Sequence, residues 1–119
     1  MAYESRVLFV NVMRREDGFV YARKVAEVDM SAMGYEYGWR DLFTKEIDYK
    51  LFMDDGETEF DTDMYGDHLK SCSVDKLLAW VEKEMQRSGY NWRLPTLHGL
   101  LKGLLESGWK NLDVVHFGY

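Results

Sequence analysis

The sequence predicts an α+β fold: a mixed or antiparallel sheet, with an N-terminal hairpin and a C-terminal strand, packed by two α-helices. Three observations carry this expectation. The first thirty residues place Val-, Leu- and Phe-rich runs on either side of an Asp-Gly turn. Two stretches in the last third repeat apolar residues at a spacing of three and four. Strand-like and helix-like segments are segregated along the chain rather than alternating, which disfavours a doubly wound sheet. A chain of 119 residues is expected to form one domain over 1–119 and to bury a core without disulfides or a metal.

Residues 6–13 are apolar except for Arg6 and Asn11, so both faces of this strand call for cover, which places it centrally in a sheet. Asp17-Gly18 closes a turn. Residues 19–30 read as the antiparallel partner, with Val20, Ala22, Ala26, Val28 and Met30 sharing one face. Residues 31–47, punctuated by Gly34 and Gly38, read as an aromatic loop with one helical turn at 39–43. A short strand is expected at 49–53.

The clearest helix spans 74–87. Its stripe is Val74, Leu77, Leu78, Val81 and Met85, with Ser73 as N-cap and Gly89 as the stop. Pro95 opens a second helix, whose buried stripe is Leu97, Leu100, Leu101, Leu104 and Leu105 and which Gly108 ends. Gly99 and Gly103 inside it read as a close-packing signal, because each costs about 1 kcal/mol against Ala in a helix interior. Residues 112–117 form a final strand.

The charge is unevenly placed. Between Lys50 and Lys70 stand seven acids and no Lys or Arg: Asp54, Asp55, Glu57, Glu59, Asp61, Asp63 and Asp67. The chain holds 21 acids and 15 basic residues; without these seven, 14 acids face 15 bases. The whole negative excess therefore sits in one segment. Five of the acids, from Asp55 to Asp63, occupy every second position. On an extended strand they would share one face at about 6.6 Å intervals, while Phe60 and Met64 anchor the other. Duplex DNA carries a charge per about 3.4 Å of axis on each strand. The row thus reads as a phosphate-like surface for a basic groove on a nucleic-acid-binding protein or nuclease. The competing reading is a solvated acidic hairpin or loop, which relieves like-charge repulsion cheaply.

Other constellations are weaker. Asp61, Asp63, Gly66 and Asp67 match the opening of a calcium loop, but Tyr65 and Cys72 occupy positions where ligands belong. Cys72 precedes a helix, where a thiol can be activated, yet no signature links it to His68, His98 or His116. Asp113 and His116 point to opposite faces of a strand. Tyr35, Tyr37 and Trp39 are loop aromatics near Arg40, a composition typical of binding hot spots and equally of a capped small core; Tyr90 and Trp92 near Arg93 read the same way. No nucleotide-binding or hydrolase motif is present, so no cofactor is expected.

A net charge of −6 disfavours direct nucleic-acid binding. The single Cys72 excludes an internal disulfide and fits a reducing cytoplasm. The N-terminal apolar run lacks the flanks of a signal peptide, and no stretch reaches the roughly 18–20 residues of a membrane span. A non-enzymatic interaction protein is the expected class. The alternatives are a small metal-dependent or thiol enzyme using Asp61, Asp63 and Asp67 or Cys72, and a structural or assembly protein with no charge-specific role.

The opening Met1-Ala2-Tyr3-Glu4-Ser5-Arg6 with the strand that follows, and the closing Val114-Val115-His116-Phe117-Gly118-Tyr119, resemble small proteins carried by phages and mobile elements of Gram-positive gut bacteria. The resemblance covers the two ends only. It implies a setting in which small acidic proteins inhibit host defence, anti-CRISPR proteins among them, and it supplies no active-site residues.

Overall fold

The structure, a computed structural model, describes residues 5–30, 39–52, 56–63, 65–87 and 93–118. In chain order the elements are β1 (Ser5–Arg14), β2 (Val20–Asp29), a 3-10 turn (Trp39–Leu42), β3 (Lys45–Glu46), β4 (Lys50–Phe52), β5 (Glu59–Phe60), β6 (Lys70–Cys72), α1 (Val74–Met85), α2 (Arg93–Glu106) and β7 (Leu112–Gly118). The strands form one mixed sheet in the order β3-β6-β7-β1-β2-β4-β5. β4 runs parallel to β2 and the other pairings are antiparallel. This is the α+β architecture expected from the sequence.

β1 lies fourth of the seven strands. Val7 and Phe9 are buried on one face, Leu8 and Val10 on the other. A strand apolar on both sides needs cover on both sides, and the centre of the sheet provides it. The turn to β2 is a three-residue loop. Arg15 N–H donates to Phe19 O at 2.9 Å and Gly18 N–H to Arg15 O at 3.0 Å. Asp17 Oδ1 accepts from Phe19 N–H at 3.0 Å. Gly18 has φ +90°, the left-handed conformation this loop demands of its last residue.

β2 departs from the expected single apolar face. Phe9 pairs with Ala26 but Val10 pairs with Lys24, so Val25 is an inserted residue, a β-bulge. The insertion reverses the side-chain alternation. Val20 and Ala22 pack with Val10 and Val12, whereas Ala26, Val28 and Met30 pack with Val7 and Phe9 on the opposite face. Period-two reading across 20–30 cannot register an extra residue, so it joined two faces into one.

The helices cover the Val7/Phe9 face. Ser73 caps α1, its Oγ accepting from Lys76 N–H at 3.2 Å. The buried residues of α1 are Val74, Leu77, Val81 and Glu84, while Met85 is 43% exposed. The buried arc therefore rotates away from the expected Met85. Glu84 is tolerated there because Arg87 Nη1 donates to both of its carboxylate oxygens at 3.0 Å. In α2 the buried face is Leu94, Leu97, Leu101 and Leu104, and Leu105 is exposed rather than buried. Pro95 sits in the first turn, where its missing N–H costs nothing.

Gly99 and Gly103 are not close-packing residues. A Cβ built on either would meet nothing within 4 Å. Both lie on the solvent side of α2. Replacing each by Ala should therefore stabilise the fold by roughly 0.8–1 kcal/mol through helix propensity. Urea unfolding checks this; a loss of stability would show contacts that the structure does not contain.

The other face of the sheet is covered by the sheet itself. Leu8, Val10, Ala22, Ile47, Tyr49, Leu51, Leu69 and Val115 form a second buried cluster with no helical residue in it. The sheet curls to enclose it. Phe60 on β5, at one end, packs edge-on against Phe117 of β7 with ring centres 5.8 Å apart. Leu69 N–H donates to Asp61 O at 3.0 Å, so the segment after β5 reaches the segment before β6. Within this core Tyr49 donates its hydroxyl proton to Asp113 Oδ2 at 2.6 Å. That bond joins the loop before β4 to β7.

Candidate functional site

The acidic segment is where the curl closes. Residues 59–63 stay paired along their length. Phe52 and Leu51 pair with Glu59 and Phe60. Thr62 then bridges to His68, and Asp63 N–H donates to Asp67 O at 2.9 Å. Leu51 and Phe60 point into the curled core. Strand alternation therefore turns Glu59 and Asp61 outward. The described part of the segment is thus ordered, with Phe60 as the expected anchor, and its carboxylates stand along the outer edge of the sheet.

The expected row of five is shortened. Gly56 has φ +74°, which turns the chain before Glu57. Glu57 is exposed but lies in a bend outside β5. Asp61 is held by Lys50, Nζ to Oδ2 2.7 Å, and the ammonium keeps its carboxyl below the ordinary carboxylate range. Asp63 Oδ1 accepts from Tyr65 N–H at 2.8 Å and Asp67 N–H at 3.1 Å, fastening the turn that Gly66 makes with φ +83°. Glu59 and Asp67 are exposed. Asp54, Asp55, Tyr35 and Tyr37 lie outside the described residues, as does the Trp39 side chain; the Trp39 backbone opens the 3-10 turn.

At the far end of this edge opens a cleft of about 500 Å³. It is lined by Asp63 and Asp67 from the turn, by Arg40, Phe43 and Lys70, and by His116 of β7. His116 is the group that spacing alone did not bring here. Its Nε2 lies 2.8 Å from Ser5 Oγ, and its ring packs 5.6 Å from that of Phe43. Burial, with the nearby Arg40 charge adding, pushes its pKa down from 6.5 to about 4. The signal for this site was the position of His116 on a strand facing opposite to Asp113, which separates it from the curled core.

This burial carries a pH prediction. An unfolded histidine takes a proton near pH 6.5, and the folded one only near 4. Between these values the unfolded chain holds the extra proton, so stability falls as the pH falls through that window. The loss is expected to approach about 3 kcal/mol by pH 4. Denaturant unfolding at pH 7 and pH 4.5 measures it, and His116→Gln should flatten the slope.

The thiol chemistry meets an unfavourable setting. Cys72 ends β6, buried, and burial with the Asp113 charge pushes its thiol up to about 12. It should resist iodoacetamide at pH 8 in the folded protein and react only on unfolding, which mass spectrometry of the alkylated chain checks. Among the described residues, no group of three or more His, Cys, Asp or Glu is arranged to hold a metal ion. Also among them, no helix is long and apolar enough to cross a membrane.

One aromatic cluster was missed. Phe19 stacks on Tyr21 at 6.2 Å, and Tyr21 meets Phe52 edge-on at 5.5 Å. Arg15 lies over the Phe19 ring at 4.8 Å. Arg23 lies 6.0 Å from the Tyr21 ring and 5.4 Å from the Phe52 ring. These side chains share the outer face of β2 and β4, beside Glu59. Its signal in the sequence is the alternation Phe19, Tyr21, Arg23, of opposite parity to the buried Ala22.

Comparisons of the chain with family models, curated proteins and solved structures found no match.

Proposed function

We propose that this chain is a non-enzymatic interaction protein whose acidic edge engages a basic surface on a nucleic-acid-handling protein. The observation that carries the reading is the placement of Glu59, Asp61 and Asp63 at alternate positions of a paired segment that Phe60 anchors from inside, with Glu59 exposed and Asp61 and Asp63 half-buried. Glu57 and Asp67 extend the negative surface at its two ends. An ordered carboxylate edge offers a basic groove preorganised charge without the cost of ordering a loop on binding. Lys50 takes up one of these charges, so the edge is weaker than a bare row of five.

A nuclease or other DNA-binding protein is the partner class that charge complementarity favours, and the resemblance at the chain ends suggests an inhibitor of host defence. A reducing cytoplasm suits the single cysteine. The test is displacement: a protein captured from a bacterial lysate by immobilised chain should be released by duplex DNA. Retention in saturating DNA would mean that the two do not share a surface.

A further inference from the structure

The outer face of β2 and β4 holds two exposed, opposite charges that find no ion pair among the described residues. Arg23 lies over the Tyr21 and Phe52 rings. A guanidinium at this outer cation–π distance from two rings keeps its planar N–H donors available for a carboxylate fork. Glu59 stands opposite Phe52 in the β4–β5 register. The basic group that acts on Glu59 electrostatically, Arg15, is itself held by Asp17. The two charges therefore flank the half-buried Phe52 ring without meeting.

A surface with a guanidinium on one side of an aromatic ring and a carboxylate on the other is its own complement under a two-fold rotation. We propose that two copies of this chain associate through this face, with Arg23 of each engaging Glu59 of the partner subunit and the Phe52 and Tyr21 rings between them. Aromatic and Arg side chains are the residue types that carry binding energy at such interfaces. The approach is face to face. Antiparallel joining of β5 edges would set Glu59 against Glu59, and like charges directly opposite repel. Of the acidic edge this interface uses Glu59 alone, so it shares that one residue with the proposed function and rests on none of its other carboxylates.

Sedimentation equilibrium of the purified chain, from roughly 1 μM to 1 mM, spans the affinities expected of a small interface. The expected result is a concentration-dependent dimer. Arg23→Glu and Glu59→Arg should each weaken it at least tenfold, and the double variant should return it to within about threefold, the signature of a direct pair. Far-UV circular dichroism checks the fold. Should either reversal unfold the chain, Arg23→Gln with hydrogen exchange read at low and high concentration replaces it: protection at 19–23 and 50–52 should rise with concentration in the unsubstituted chain and not in Arg23→Gln. A monomer throughout the range, or a dimer indifferent to both single reversals, overturns the proposal. Arg23→Glu retains every carboxylate of the acidic edge, so its capture of a basic partner separates this idea from the function proposed above.

Discussion

Phe9→Ala is expected to lower the unfolding free energy by about 3–5 kcal/mol, because Phe9 is the largest fully buried side chain among the described residues. Phe9 is fully buried at the centre of the middle strand. It pairs with Ala26 on β2 and Val114 on β7. Its face is the one both helices cover, sharing a cluster with Leu77, Val81, Leu97 and Leu101. Deleting the ring removes its transfer free energy and leaves a cavity that two flanking strands and two helices cannot all close. The exposed Leu105 is the control: Leu105→Ala should cost under about 0.5 kcal/mol. Chemical denaturation of both variants measures the contrast. A cost for Phe9→Ala near that of Leu105→Ala would contradict the helix-on-sheet layering.

Neutralising the acidic edge should do the reverse: little to stability and much to binding. The informative variant is E57Q/E59Q/D61N/D63N/D67N. Asn at position 63 keeps the side-chain oxygen that accepts from Tyr65 and Asp67 N–H, so the turn survives. Loss of the Lys50–Asp61 pair costs little, because Lys50 is 42% exposed. Binding to a basic partner should fall roughly 50-fold or more at low salt, taking about 0.5 kcal/mol for each carboxylate. Raising the salt should shrink the difference, since exposed charges beyond about 8 Å are screened at physiological ionic strength. Isothermal titration with the captured partner reads both effects.

Much of the fold was legible because its strongest signals are periodic. The largely apolar run at 6–13 implied a central strand, Asp17-Gly18 its turn, and the Leu spacing of α2 most of its buried face. What escaped was non-local. The Val25 bulge exists only in the pairing of β1 with β2. The two-residue strands β3 and β5 are too short for any period and are defined by their partners. The curl depends on Phe60 meeting Phe117, which are 57 positions apart in the chain. The glycines of α2 misled because small residues signal close approach only when something approaches. At the site, spacing located the carboxylates, but it gave neither the Lys50 partner of Asp61 nor the turn that engages Asp63. Charge counting cannot see which charges the fold has already answered.

The central claim is that the outward carboxylates of the acidic edge are the contact with a basic partner. Quantitative affinity capture, comparing the chain with its five-site neutral variant at matched fold stability, tests it most directly. The account predicts one or more basic nucleic-acid-handling proteins retained by the chain and lost from the variant. Equal retention by the two would contradict it.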